Sequence, residues 1–213
     1  MLKIIASKNI YLIYFLWTLS TIGGWTLYTY PGLTFRNTLI QSWDDFFSIL
    51  GIISIQMAFL GLLVGFLQFI LLRTKTNISL WWIFISGVSY SVGLNLAILL
   101  VTVSLVGLNQ HAFANILFAL PFAPAMVVAG VFIGIIQALV LRYLFSGNLK
   151  KFLLWLLANS LGWGLAFFAT SIAWGAGLSM QWQSGLAGLC IGGISMIALI
   201  VLNKTTHENT ITT

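Results

Sequence analysis

The sequence predicts an all-α integral membrane protein of six transmembrane helices, arranged as three tandem helical hairpins of the same orientation with both termini cytoplasmic. Three observations carry that reading. Hydrophobic residues fill 60% of the 213 positions and charged residues 6%, against roughly 25% charged in soluble domains, and the mean hydropathy is +1.06. Six apolar segments reach about the 20 residues that cross a hydrocarbon layer. The basic residues gather almost entirely at one set of helix ends, as the positive-inside rule requires.

The segments run from about Ile10 to Tyr30, Phe46 to Leu72, Leu80 to Val106, Pro124 to Leu144, Phe152 to Trp174 and Gln183 to Leu202. Pro31 follows the first and Pro124 opens the fourth, positions where a missing backbone donor harms a helix least. Lys3 and Lys8 precede the first segment, Arg73 and Lys75 follow the second, Arg142, Lys150 and Lys151 lie between the fourth and fifth, and Lys204 follows the sixth. All of these fall on one side if each segment spans. Arg36, accompanied by Asp44 and Asp45, falls on the other. The first segment follows two lysines as a signal peptide would, but it is long and passes through Gly23, Gly24 and Trp25 without a small-x-small cleavage site, so it reads as an uncleaved span. One domain over residues 1–204 is expected, with hairpins at about 10–72, 80–144 and 152–202. A polar tail over 205–213, without apolar periodicity, is expected to be disordered.

The hairpins are visible as a repeat. Gly61 to Arg73 reads GLLVGFLQFILLR and Gly130 to Arg142 reads GVFIGIIQALVLR, so Gly61, Gly65, Gln68 and Arg73 match Gly130, Gly134, Gln137 and Arg142. A decayed third copy, GLCIGGIS, puts Gly188, Gly192 and Ser195 in the places of glycine, glycine and glutamine. The intervening segments repeat too. Trp17, Trp82 and Trp155 are followed four residues on by Thr21, Ser86 and Asn159, and eight residues on by Trp25, Tyr90 and Trp163.

Steps of four, three and four residues place the glycines and glutamine of each motif on one helix face. Lipid is as apolar as leucine, so membrane helices associate through close packing and buried polar contacts, and Gly-x3-Gly permits close approach. Gly61, Gly65, Gln68, Gly130, Gly134, Gln137, Gly188 and Gly192 are therefore the expected packing motif, with Thr21, Ser86 and Asn159 as candidates to face it. Arg73 and Arg142 lie about 7 Å beyond their glutamines along the axis, at the expected cytoplasmic interface, as helix stops and topology signals or as contacts for lipid phosphate.

The chemistry is limited by what the segments lack. No acid, base or histidine falls in the central part of any of them, which argues against proton relays and ion coupling and against a membrane-embedded carboxylate pair. Asp44 and Asp45 fit helix N-terminal capping better than cation binding. Cys190 is the single cysteine, and His111 and His207 are far apart in sequence, so neither disulfide, metal site nor cofactor is expected. Scattered basic residues give no nucleic-acid face. The neutral amides Gln56, Gln68, Asn95, Gln137 and Asn159 remain. Each reads first as helix-packing glue, and together they are the candidate lining of an interior cavity. Trp43, Trp81, Trp82, Trp155, Trp174 and Trp182 lie near segment ends, where aromatic belts are expected. Trp25 and Trp163 lie deeper, as packing residues or as a stack for a flat ligand.

At the repeated motif the chain resembles uncharacterised bacterial multi-pass membrane proteins, frequent among cyanobacteria, that carry Gly-x3-Gly-x2-Gln-Trp-x2-Leu-Arg followed by a Trp-rich helix with a Gly-Trp pair. The resemblance covers about Gly61 to Leu165; Gly162 and Trp163 keep the pair, as do Gly24 and Trp25, while Phe69 and Ala138 stand at the tryptophan position. It implies the repeat and no activity. Mitochondrial-type solute carriers share a three-hairpin plan, but their Pro-x-acid-x2-base signature is missing. The substrate-binding subunits of energy-coupling vitamin importers match in size alone. The expectation is a non-enzymatic protein of the plasma membrane, or of the thylakoid in a photosynthetic source. It would meet the lipid bilayer and a membrane-protein partner or a second copy of itself, as an interaction or assembly subunit. The alternative is a binding or transport protein for a neutral or lipophilic small molecule.

Overall fold

The computed structural model of the chain describes residues 10–29, 43–73, 79–106, 119–145 and 148–211. They form six helices: α1 (Ile10–Thr29), α2 (Trp43–Arg73), α3 (Trp81–Val106), α4 (Ala119–Phe145), α5 (Leu149–Gly175) and α6 (Met180–Ile211). Among the described residues, four stretches are long and apolar enough to cross a membrane: Leu50–Ile70, Trp81–Leu100, Leu149–Gly175 and Met180–Leu202, with a shorter apolar stretch at Ala123–Leu139.

Local chemistry sets the ends that are described. The Ser79 hydroxyl accepts from the Trp81 amide at 3.3 Å, satisfying one of the free donors at the start of α3. Asn148 caps α5, its side-chain oxygen accepting from the amides of Lys150 at 3.0 Å and Lys151 at 3.3 Å. α5 ends in a turn where Gly177 takes φ +72°, a conformation that costs glycine nothing and an L side chain a good deal. The amides of Ala176, Gly177 and Leu178 there bond back to the carbonyls of Ile172, Trp174 and Ala173.

Two boundaries differ from the sequence reading. α4 begins at Ala119, so Pro124 lies inside the helix rather than opening it; past the first turn it removes a backbone bond and its ring crowds the carbonyl of Leu120. α6 continues through Ile211, where disorder is expected from Thr205. No glycine or proline lies beyond Gly193 to stop it. The segments bearing Lys3, Lys8, Arg36, Lys75 and His111 lie outside the described residues, as do the side chains of Asp44, Asp45, Arg142, Lys204 and His207.

Each helix packs on its neighbours in the chain, and α6 returns to pack on α1, so the helices close into a ring. The interior holds tryptophan, small residues and amides: Trp17, Trp82, Trp155, Trp163, Gln68, Gln137 and Asn159 are all buried. Large aliphatic and aromatic side chains point outward, among them Phe15, Ile55, Phe84, Leu139, Leu157 and Ile172. An outside richer in large apolar groups than the inside suits lipid as solvent and would be an aggregation surface in water.

Candidate functional site

The closest backbone-to-backbone approaches between helices occur at the first glycine of each repeated motif, Gly61, Gly130 and Gly188. A Cβ added at Gly61 would collide with the Ser86 carbonyl oxygen and lie 2.8 Å from the Gly87 Cα, and one at Gly65 would lie 2.8 Å from the Ser86 Cβ. At Gly130 it would lie 2.6 Å from the Asn159 oxygen, and at Gly134 3.3 Å from the Asn159 Cβ. At Gly188 it would lie 2.9 Å from the Thr21 oxygen, and at Gly192 2.9 Å from the Thr21 Cβ. So α2 lies against α3, α4 against α5, and α6 against α1, each glycine pair facing Ser86, Asn159 or Thr21. Side chains at these positions would force the backbones apart.

Beside these contacts sits an inner layer of tryptophans whose N–H groups are all donated. Trp82 Nε1 donates to Gln68 Oε1 at 3.1 Å. Trp17 Nε1 donates to Ser195 Oγ at 2.9 Å. Trp155 Nε1 donates to the Gly134 carbonyl at 3.2 Å. The Gln68 amide also donates, through Nε2, to Thr21 Oγ1 at 3.1 Å; Thr21 donates in turn to the Trp17 carbonyl at 3.0 Å, and Ser195 to the Gly192 carbonyl at 3.1 Å. A continuous run of hydrogen bonds thereby ties α3 to α2, α2 to α1, and α1 to α6. The rings of Trp17 and Trp82 meet at 5.6 Å between centroids, and Tyr14 adds a bond from its hydroxyl to the Leu199 carbonyl at 3.3 Å.

The other amides are used differently. Asn159 Nδ2 bonds to the Trp155 carbonyl of its own helix at 3.0 Å. Asn95 Nδ2 donates to Ser54 Oγ at 2.6 Å, linking α3 to α2, while its Oδ1 is buried without a partner. Gln137 is buried, and among the described residues no hydrogen bond reaches its amide; Ser86 Oγ is likewise buried and unpaired. No hydrogen bond among the described residues joins Gln68, Asn95, Gln137 and Asn159 to one another. Arg73 is exposed at the last turn of α2, its guanidinium 5.8 Å from the Phe69 ring centroid.

The tryptophans read as belt residues divide by burial. Trp81, Trp174 and Trp182 are exposed at helix ends, but Trp82 and Trp155 are fully buried. The signal was their spacing: a residue four before Ser86 or Asn159 shares its inward face.

A second aromatic layer lies two helical turns further on, about 12 Å along the axis. Trp25, Tyr90 and Trp163 converge there: Trp163 meets Tyr90 edge-on at 5.2 Å and Trp25 at 5.7 Å. Around them pack Leu60, Val64, Ile133, Ala166, Ala187 and Ile191. The Tyr90 hydroxyl lies beside the Trp25 indole, yet the N–H groups of Trp25 and Trp163 are buried and find no acceptor of hydrogen-bonding geometry. Each buried donor left so costs about 1–3 kcal/mol. No group of three or more potential metal ligands occurs among the described residues.

No protein-family model, curated protein or solved structure matches the chain.

Proposed function

We propose that the chain is a non-enzymatic integral membrane protein acting as an interaction or assembly subunit of a membrane complex. In this reading six helices span the bilayer of the plasma membrane, or of the thylakoid in a photosynthetic source. They form three same-facing hairpins with both termini cytoplasmic, and the glycine motifs bind each hairpin to the next. The observation that supports it is the run of bonds from Trp82 through Gln68, Thr21 and Trp17 to Ser195. It uses the most polar interior groups for holding helices together, which leaves the outer face and the connections as the surfaces for function. Purification in mild detergent with chemical cross-linking and mass spectrometry tests the assignment. A stoichiometric protein partner or a defined homo-oligomer is expected; a monomer carrying a stoichiometric small molecule would overturn it.

A second reading, a binding or transport protein for a neutral or lipophilic molecule, is favoured by the unpaired donors of Trp25 and Trp163. The monomer with a bound lipophile is its expected result, and a purified protein free of any lipophile would count against it.

A further inference from the structure

The two aromatic layers are built from corresponding residues and differ in one respect. In the inner layer, Trp17, Trp82 and Trp155 each donate the indole N–H to a protein acceptor. In the outer layer, Trp25 and Trp163 do not. Trp163 is 1% exposed, so bulk water does not reach it. Phenylalanine would fill such space without stranding a donor; the Tyr90 hydroxyl stands beside the Trp25 indole, whereas Trp163, the more deeply buried of the two, has no protein acceptor.

We propose that Trp25 and Trp163, with Tyr90, bind a neutral lipophilic molecule through an acceptor oxygen such as a carbonyl. Indole nitrogen donates and never accepts, so the group it meets is an acceptor. The three rings sit in an apolar cluster, and no acid, lysine, arginine or histidine occurs in residues 10–29, 50–70, 81–106, 119–141 or 152–202, so nothing offsets a ligand charge and the ligand is neutral. Edge-on rings at 5.2 and 5.7 Å suit a flat or ring-bearing body. The site differs from the amides singled out in the sequence, since Gln68 already bonds at both ends. This proposal rests on the second reading above and specifies its location.

The test uses the full chain in lipid nanodiscs with two probes of one shape, 9-fluorenone, which carries a ketone, and fluorene, which lacks it. Binding is read as saturable quenching of tryptophan fluorescence above empty-nanodisc partitioning, and as shifts of the nitrogen-15 labelled indole resonances. Fluorenone is expected to bind about tenfold more tightly than fluorene, one hydrogen bond's worth. Trp163→Phe and Trp25→Phe, which keep a ring and remove a donor, should each lose about that factor for fluorenone and leave fluorene unchanged. The unfolding midpoint of each variant, kept near that of the parent, shows that the loss is not unfolding. Equal binding of the two probes, or unchanged fluorenone affinity in both variants, overturns the proposal, as do indole protons that exchange with water and ignore the probe. A cellular lipophile that stays with both Phe variants as with the parent overturns this site and leaves the second reading standing. Absence of any co-purifying lipophile together with absence of fluorenone binding overturns both.

Discussion

Gly61→Ala tests the helix contacts with a single methyl. The new Cβ would lie 2.8 Å from the Gly87 Cα and the Ser86 carbonyl carbon, with the carbonyl oxygen closer still, whereas ordinary contact begins at 3.4 Å. All three obstacles are backbone, so no rotamer change relieves them. α2 and α3 must part locally by at least 3.4 − 2.8 = 0.6 Å. Overpacking of this kind costs about 1–3 kcal/mol, and alanine's better helix propensity returns up to about 1 kcal/mol. The net loss against the parent is roughly 0–2 kcal/mol, and against an alanine that gains the same propensity without a clash it is about 1–3 kcal/mol. Gly193→Ala is the internal reference: it lies within a helix, its Cβ meets nothing within 4 Å, and it should be neutral or stabilising. Reversible SDS-driven unfolding in mixed micelles, followed by tryptophan fluorescence, measures both. If Gly61→Ala unfolds at the same SDS fraction as Gly193→Ala, the close-approach argument is wrong.

Gln68→Leu should leave membrane insertion intact yet lose about 1–2 kcal/mol, because it removes two hydrogen bonds and strands the Trp82 donor. Gln137→Leu, which removes a buried amide that makes no hydrogen bond among the described residues, should be neutral or stabilising; equal losses in the two variants would contradict the assigned bonding. Trp155→Phe and Trp163→Phe remove the same volume, but only the first removes a made bond. Under SDS unfolding without added ligand, Trp155→Phe should be the less stable by about 1 kcal/mol or more, and the reverse order would refute the contrast between layers. For topology, in a Cys190→Ala background, Leu178→Cys in the α5–α6 turn should react with a membrane-impermeant thiol reagent on intact cells, and Leu149→Cys at the start of α5 only after permeabilisation. Labelling of both from one side would rule out the proposed orientation of α5.

Much of the architecture was legible in the chain because helix periodicity is local. Apolar length marks helix existence, and each of the six apolar segments coincides with a helix, although α4 starts five residues earlier and α6 ends nine residues later than expected. Boundaries were less legible: Pro124 was read as a start and Thr205 as the beginning of disorder. Neither residue decides a helix end by itself when its flanking residues can continue the backbone bonds. The glycine and glutamine spacing also marked one face of a helix, since steps of three and four residues are angular information.

Spacing along one helix, however, carries no distance to another. It could not say that Trp17 on α1 reaches Ser195 on α6, because the bond exists only once the ring closes. Nor could it separate Trp81, which faces outward, from Trp82 beside it, which faces in; adjacent residues are about 100° apart on a helix, and orientation follows from packing. Composition and period by themselves determined an all-α chain of apolar helices with small-residue faces. Only tertiary structure decided which repeated groups are satisfied and which are not. That distinguishes Gln68, bonded at both ends, from Gln137, and the inner tryptophans from Trp25 and Trp163. A donor's partner is a property of three-dimensional position, and two copies of one motif diverge as soon as their neighbours differ.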